Sequence, residues 1–320
     1  MNKKIKVAFQ MDALKDLNFN GDTTYIFMQE AYKRGLEVYF YNPKSLAWIE
    51  GIVVARLSKV TNVLDITEIE YGEIPIEHES EIIVNLEEMD FIFLRQDPPF
   101  DMAYITNTFL LEKIKDKVKI VNDPTSVRNS PEKLLVTEFY EFMPKTIITS
   151  NYDEIYNFVQ TNGRAVIKPL YGNAGSDVFF LQKGDFNLKS IIHYFLSTFR
   201  EQIMVQEFLE NVKYGDKRII LINGELAGGF ARIPEEGEIR SNLAVGGSAK
   251  DVPLTDRDRE ICKAIGGRLK ELGLFFVGID VIDGHMTEIN VTSPTGLRSI
   301  INMYGENLAI KAWDILLKGI

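Results

Sequence analysis

Gly278-Ile279-Asp280-Val281-Ile282-Asp283-Gly284-His285-Met286-Thr287-Glu288-Ile289-Asn290-Val291-Thr292-Ser293-Pro294-Thr295 reads as two apolar strands around an Asp-Gly turn. Three oxygen-bearing side chains, Asp280, Glu288 and Asn290, lie inside it among Phe275, Phe276, Val277, Val281, Ile282, Ile289 and Val291. Acidic groups in such strands are costly unless paired or bound to a cation. Oxygen-only ligands suit a magnesium ion that bridges nucleotide phosphates. Taken alone, the same residues are equally the outward positions of an alternating strand. Glu288 and Asn290 share a face because side chains alternate along a strand. A two-residue Asp283-Gly284 loop would pair Ile282 with His285 and Asp280 with Thr287, placing Asp280 on the opposite face. A shared cation site therefore predicts a three-residue loop, Ile282-Asp283-Gly284, with a bulged, left-handed Gly284 and Asp280 opposite Met286.

Three further signals lie upstream. Lys168-Pro169-Leu170-Tyr171-Gly172-Asn173-Ala174-Gly175-Ser176 sets a lysine at a strand end before a turn with two glycines. Glycine lets backbone N–H groups approach phosphate oxygens, and the lysine adds a point charge. The spacing is not that of a P-loop, and alone it reads as a hairpin turn beside a lysine. Val205-Gln206-Glu207-Phe208-Leu209 is an apolar strand ending in a carboxylate, with backbone groups then free for the edge of an adenine. Read alone, it is a strand end. Gly215-Asp216-Lys217-Arg218, Arg232 and Arg240 place three arginines in or beside strands of an acidic chain. Each alone is a solvated position; together they suit a developing phosphoryl charge.

Further outward, the first 125 residues alternate strand and helix. The strands are Ile5 to Met11, Leu36 to Tyr41, Phe91 to Arg95 and Val118 to Asn122, with helices from Thr23 and from Asp101 and a hairpin about Glu50-Gly51. That alternation predicts a small parallel sheet flanked by helices, with ligands at its carboxyl ends. Beyond residue 130, Ser130-Pro131-Glu132 reads as a helix start with Ser130 as cap. Ser150 with Asp153 resembles a capping box, and Thr255 with Asp258 another helix start. Asn223-Gly224 reads as a hairpin turn. At 320 residues the chain suits two or three lobes. Its net charge of −10 argues against nucleic-acid or anionic-membrane partners, which would repel it. With one cysteine, Cys262, it has no internal disulfide, and with no apolar leader or span the expected location is cytoplasmic. Cys262 reads as helix packing, and His78, His193 and His285 lack a ligand spacing.

In this order the four signals resemble the ATP-grasp superfamily. Over nearly its full length the chain resembles the bacterial glutathione synthetases. The resembling stretches are Arg95-Gln96-Asp97-Pro98-Pro99-Phe100-Asp101, Lys168-Pro169-Leu170, Gly215-Asp216-Lys217-Arg218, Ala231-Arg232-Ile233-Pro234, Asn242-Leu243-Ala244-Val245-Gly246-Gly247 and Glu288 through Thr295. The resemblance implies a Rossmann-like parallel-sheet domain over 1–125 and a two-lobed ATP-grasp domain. The central lobe would cover 126–206 and the catalytic lobe 207–320. It implies that ATP drives the joining of glycine to γ-glutamylcysteine. Lys133 and Lys168 would hold ATP phosphates beneath a loop containing Gly172, Gly175 and Ser176. Glu207, Phe208 and Leu209 would face adenine, and Asp216 the ribose. Arg218, Arg232 and Arg240 would surround an acyl phosphate. Asp280, Glu288 and Asn290 would hold magnesium, with manganese as the alternative. Ser293 and Arg298, at an expected helix start, would take a substrate carboxylate. A homo-oligomer is implied as well. The 171–175 turn has fewer glycines than the family often shows, and Gly296 stands where some relatives carry a larger residue.

Other readings are a different ATP-grasp ligase, such as a D-alanine–D-alanine ligase, or a nucleotide-binding regulator without catalysis. The Asp-Pro-Pro-Phe-Asp run and Thr-Ser-Pro-Thr argue against the first, the retained acids and arginines against the second. The polar loop 234–249, with Gly237, Arg240, Gly246 and Gly247, reads as a lid whose closure would exclude water from an acyl phosphate.

Overall fold

The computed structural model describes residues 4–67, 69–70, 72–172, 175–235, 240–241 and 246–318. Half of the loop read as a lid, including Gly237 and Asn242-Leu243-Ala244-Val245, lies outside the described residues.

The strands of the first sheet are β1 (Lys6–Gln10), β2 (Glu37–Tyr41), β3 (Ala47–Ile49), β4 (Ile52–Val63), β5 (Ile76–His78), β6 (Ile82–Asn85), β7 (Phe91–Leu94) and β8 (Lys119–Val121). β2, β1, β7 and β8 run parallel, and β4 joins β2 antiparallel. The parallel core needs cover on both faces, and all four residues of β7 are buried. α1 (Thr23–Lys33) starts where Asp22 accepts from the N–H of Tyr25. α2 (Met102–Glu112) starts the same way, with Asp101 accepting from Tyr104 at 2.9 Å. α3 (Pro124–Asn129) and α4 (Glu132–Leu135) lead into the rest of the chain. Ser130 is not the cap of α4. Pro131 occupies that position with no side-chain bond, and the helix lasts one turn before tightening to 3₁₀ geometry.

The second sheet is antiparallel, ordered β11 (Phe179–Gln182), β10 (Arg164–Pro169), β12 (Ile203–Glu207), β9 (Thr146–Thr149). α5 (Tyr152–Asn162) and α6 (Leu188–Thr198) cover one face, packing Ile155, Val159, Ile192 and Phe195 on Ala165, Ile167 and Val205. Strand alternation sends Val166, Lys168 and Gln206 to the other face, which looks into a cleft. The cap of α5 is Asn151, which accepts from Asp153 and Glu154, rather than Ser150.

The third sheet is ordered β15 (Ser248–Lys250), β14 (Glu225–Ile233), β13 (Asp216–Ile222), β16 (Phe276–Ile282), β17 (His285–Asn290). α7 (Asp256–Glu271), opened by the expected Thr255–Asp258 capping box, packs Ile261, Cys262, Ile265 and Leu269 into a core with Ile219, Leu221, Ile279 and Val281. Asn223-Gly224 is the predicted two-residue turn, both residues at positive φ. Asp283-Gly284 is also a two-residue turn, with φ of 49° and 74° and Ile282 opposite His285. The three-residue loop expected above is absent. The phase is corrected instead by an extra residue in β17. Val281 pairs with Met286 and Asp280 with Glu288, leaving Thr287 as a bulge whose hydroxyl donates to the Asp280 carbonyl at 3.3 Å. Asp280, Glu288 and Asn290 therefore do share a face.

The chain then returns to the first sheet. α8 (Leu297–Tyr304) and α9 (Leu308–Leu317) contact α1. Trp313 of α9 is fully buried, with its ring 5.1 Å from Phe93 and 5.8 Å from Phe91, and its indole N–H donates to the Phe27 carbonyl at 3.1 Å. The last helix thus belongs to the core of the first sheet. Trp313→Ala should cost about 3–5 kcal/mol through the cavity and the orphaned carbonyl. Urea unfolding followed by far-UV circular dichroism checks this, and a midpoint unchanged from wild type would contradict it.

Candidate active site

A cleft of about 480 Å³ opens between the second and third sheets, with Asp97 and Pro98 of the first lobe at its edge. Its walls include Lys133, Lys168, Gly172, Gly175, Ser176, Glu207, Phe208, Leu209, Asp216, Arg218, Arg232, Arg240, Asp280, Glu288, Asn290 and Ser293. Of the residues singled out from the sequence, only Arg298 does not line it. Arg298 sits on α8 with its guanidinium 5.9 Å from the Tyr25 ring, and its Nε is buried without a partner among the described residues. Ser293 lies upstream of that helix and donates to the Arg95 carbonyl at 3.2 Å. Gly296 is the residue before α8, at φ 138°. A Cβ there would meet the Phe230 ring at 3.0 Å, so backbone conformation and packing demand glycine.

The third sheet brings four charges together. β13 sets Arg218 opposite Asp280 of β16 on one side, and Asp216 opposite Arg232 of β14 on the other. Arg218 Nε donates to Asp280 Oδ1 at 2.7 Å and Nη2 to Oδ2 at 3.3 Å. Arg232 lies 3.0 Å from Asp280 Oδ2 and also pairs with Asp216. All four side chains are buried. Burial alone would push the Asp280 carboxyl up, but Arg218 and then Arg232 outweigh it and hold it at about 2. Burial pushes Asp216 up against the pull of Arg232. The Arg218 side chain lies over Gly278, where a Cβ would come within 3.1 Å of Nη1, so the glycine makes its bed.

A second cluster faces the first. Lys168 Nζ, at the end of β10, donates to Glu288 Oε1 at 3.3 Å, and Lys133 Nζ is 3.6 Å from the same oxygen. Lys133 also donates to the Gly172 carbonyl at 2.6 Å, tying α4 to the glycine turn. Burial lowers the Lys168 pKa against the pull of Glu288. Burial also opposes ionisation of Glu288, but the two lysines bring its carboxyl below the usual range. Asp280, Glu288 and Asn290 present oxygen atoms on one face, and Asn290 Nδ2 is buried without a partner among the described residues. Among the described residues no three His, Cys, Asp or Glu side chains cluster as metal ligands. Two carboxylates and an amide fit a hard cation that completes its shell with phosphate oxygens.

At the hinge, Glu207 and Phe208 differ from expectation. The Glu207 N–H donates to the Lys145 carbonyl at 2.8 Å and that of Phe208 to Arg164 at 3.3 Å. Of the three residues, only the Leu209 N–H is without an acceptor among the described residues. Asp216, expected at a ribose, has Oδ2 engaged by Arg232 and Ser241. The cleft also has residues not singled out from the sequence, a charged one among them. Glu132, read as a first-turn acid, lines the cleft beside Lys133 and accepts from the Thr292 hydroxyl at 2.7 Å. Thr292 lies in the Glu288–Thr295 run, so the signal was a polar position there needing a partner.

Two family models match, described as prokaryotic glutathione synthetase N-terminal domain over residues 5–128 and ATP-grasp domain over residues 132–305. The chain belongs to the prokaryotic glutathione synthetase family. It is 50% identical to the glutathione synthetase of Brucella melitensis over 312 residues, 97% of each chain. It is 38% identical to that of Vibrio cholerae, over 98% of this chain and 97% of that one. Among solved structures, D-cycloserine synthetase DcsG superposes with a TM-score of 0.68 at 13% identity, covering 98% of this chain and 99% of that one. The ATP-grasp ligase PsnB gives 0.62 at 15%, covering 99% and 98%. At such identities the likeness is one of fold: the second and third sheets with the cleft between them are an ATP-grasp domain.

Burial raises the Glu132 carboxyl from its ordinary 4.5 to about 7, while Lys133 pulls it down. The folded state thus favours the protonated form, and its stabilisation is complete below about 4.5 and lost as pH rises towards 7. Glu132→Gln should melt like wild type at pH 5 and higher than wild type at pH 8. Equal melting temperatures at both would contradict the buried, raised carboxyl.

Proposed function

We propose that this chain uses ATP to join glycine to γ-glutamylcysteine, giving glutathione, ADP and phosphate through an acyl phosphate. The observation that carries the reading is one cleft holding five cationic side chains and a three-oxygen cation site, on a chain of this family. Lys133 and Lys168 bind the nucleotide phosphates beneath the turn at Gly172, Gly175 and Ser176. The hinge at Glu207, Phe208 and Leu209 receives adenine, with the Leu209 N–H as donor. Asp216 holds Arg232 in place, in preference to the ribose contact that the resemblance implied.

Asp280, Glu288 and Asn290 would hold the divalent cation, magnesium or manganese. It would supply positive charge that offsets the charge of the nucleotide phosphates. The dipeptide carboxylate attacks the γ-phosphorus, ADP leaves, and Arg218, Arg232 and Arg240 stabilise the oxygens of the transferring group. Glycine's amine, deprotonated, then attacks the acyl carbon, and phosphate departs as the amide forms. Positioning and charge supply the catalysis, so no dedicated base is assigned. We assign the substrate carboxylate to Ser293, which lines the cleft, whereas Arg298 does not line it. The chain works as a cytoplasmic homo-oligomer divided at about 125 and 206, with no nucleic-acid or membrane partner.

Phosphate release measured with each acid and amine pair tests the reaction. Release requiring both γ-glutamylcysteine and glycine is expected, and release with D-alanine alone would overturn the reading. Glu288→Gln should fold but lose magnesium-dependent turnover, because it removes one of two anionic ligands. Lys168→Met removes a phosphate-facing charge and keeps the stem. It should weaken ATP binding at least about tenfold, or 1.4 kcal/mol, by calorimetry with the fold intact. Unchanged ATP affinity would remove the glycine turn from the phosphate site.

A further inference from the structure

The Asp97-Pro98-Pro99-Phe100-Asp101 run lies between β7 and α2 of the first lobe, and the glycine turn follows β10 of the second sheet. The two segments meet ring on ring. Phe100 and Tyr171 stack with their centroids 6.2 Å apart and their planes 13° from parallel. That spacing is within the range at which aromatic rings attract. Phe100 is backed by the fully buried Tyr104 of α2, whose ring centroid is 5.2 Å away, so the first-lobe side of the stack is anchored in packed structure. Tyr171 is 41% exposed, and its hydroxyl has no hydrogen-bond partner among the described residues. The ring makes the contact, and the hydroxyl does not. Neither ring lines the main cleft. Pro98, Phe100, Glu132, Leu170 and Tyr171 line one small cavity beside it, so the first lobe, α4 and the turn converge at this point.

We propose that the Phe100–Tyr171 stack positions the glycine turn over the nucleotide phosphates, which makes the loop between β7 and α2 part of ATP recognition. The proposal rests on the reading of Gly172, Gly175 and Ser176 as a phosphate turn. A hydrogen bond holds the same turn from α4, Lys133 Nζ donating to the Gly172 carbonyl at 2.6 Å. An ammonium that turns to a phosphate loosens its hold on that carbonyl, whereas a stack of uncharged rings keeps its own. The turn also folds tightly onto the end of β10: a Cβ at Gly172 would come within 2.7 Å of Pro169 Cγ. A shift of the Tyr171 ring therefore moves Gly172 with it. Phe100 and Tyr171 are positioning residues that act through the turn.

Calorimetric ATP binding and steady-state phosphate release on the full chain test this. Tyr171→Ala should raise the ATP dissociation constant about three- to tenfold, the worth of one aromatic pair, and the KM for ATP with it. The KM values for γ-glutamylcysteine and glycine should not follow, whereas a general loosening of the lobes raises all three. Tyr171→Phe keeps the ring and should restore the ATP affinity. Phe100→Ala should match Tyr171→Ala, and the double variant should lose no more than either alone, because both remove one contact. Tyr171 is an exposed position, so its variants report even where Phe100→Ala fails to fold. Unchanged ATP affinity in Tyr171→Ala, an equal loss in Tyr171→Phe, a rise in all three KM values or additive losses in the double variant would overturn the proposal. Lys168→Met separates two kinds of failure. If it weakens ATP binding while the ring variants do not, the stack is overturned and the phosphate turn stands; if none of them weakens it, both are overturned.

Discussion

The buried quartet Asp216, Arg232, Asp280 and Arg218 is the constraint on which the catalytic half depends. Removing any one member leaves a buried charge uncompensated, a loss of about 3–5 kcal/mol in comparable cases. Each member sits on a different strand position of one sheet, so the pairing fixes register. β13 must align Arg218 with Asp280 while aligning Asp216 with Arg232. Gly278 leaves room for the Arg218 side chain, and the bulge at Thr287 brings Glu288 and Asn290 to the face of Asp280.

The quartet is neutral as a set, and so nearly is the trio of Lys133, Lys168 and Glu288 across the cleft. A neutral, self-paired cleft is stable without ligand yet rich in donors already aimed at one place. A triphosphate, a cation and a transferring phosphoryl group exchange these internal partners for external ones. Preorganised charge of this kind stabilises a transition state with little reorganisation. Glu132, clasped by Thr292, joins α4 to the segment after β17 and keeps Lys133 next to Glu288.

Much of this was legible in the sequence because acids and arginines inside apolar strands are tolerated only where they pair with one another or meet a ligand. The parallel strands, the Asn223-Gly224 turn and the Thr255 cap followed from local rules that nothing in the tertiary structure overrode. The hairpin shows where such rules end. The demand that Asp280 and Glu288 share a face was correct, but parity can be restored by a loop residue or by a bulge. Asp-Gly kept its preferred two-residue turn, and Thr287 took the correction. Ser130 and Ser150 failed as caps because neighbouring residues held the position. The partners of the hinge amides and of the Asp216 carboxylate, Lys145, Arg164 and Arg232, lay beyond a local reading. Glu132 was invisible for the same reason, since Thr292 lies 160 residues away.

The central claim is that the cleft activates a carboxylate by phosphorylating it. Turnover with γ-glutamylcysteine labelled with ¹⁸O in its cysteinyl carboxylate, followed by mass spectrometry of the released phosphate, tests this most directly. One labelled oxygen in each phosphate is the predicted result. Phosphate free of the label, formed together with glutathione, would contradict the account.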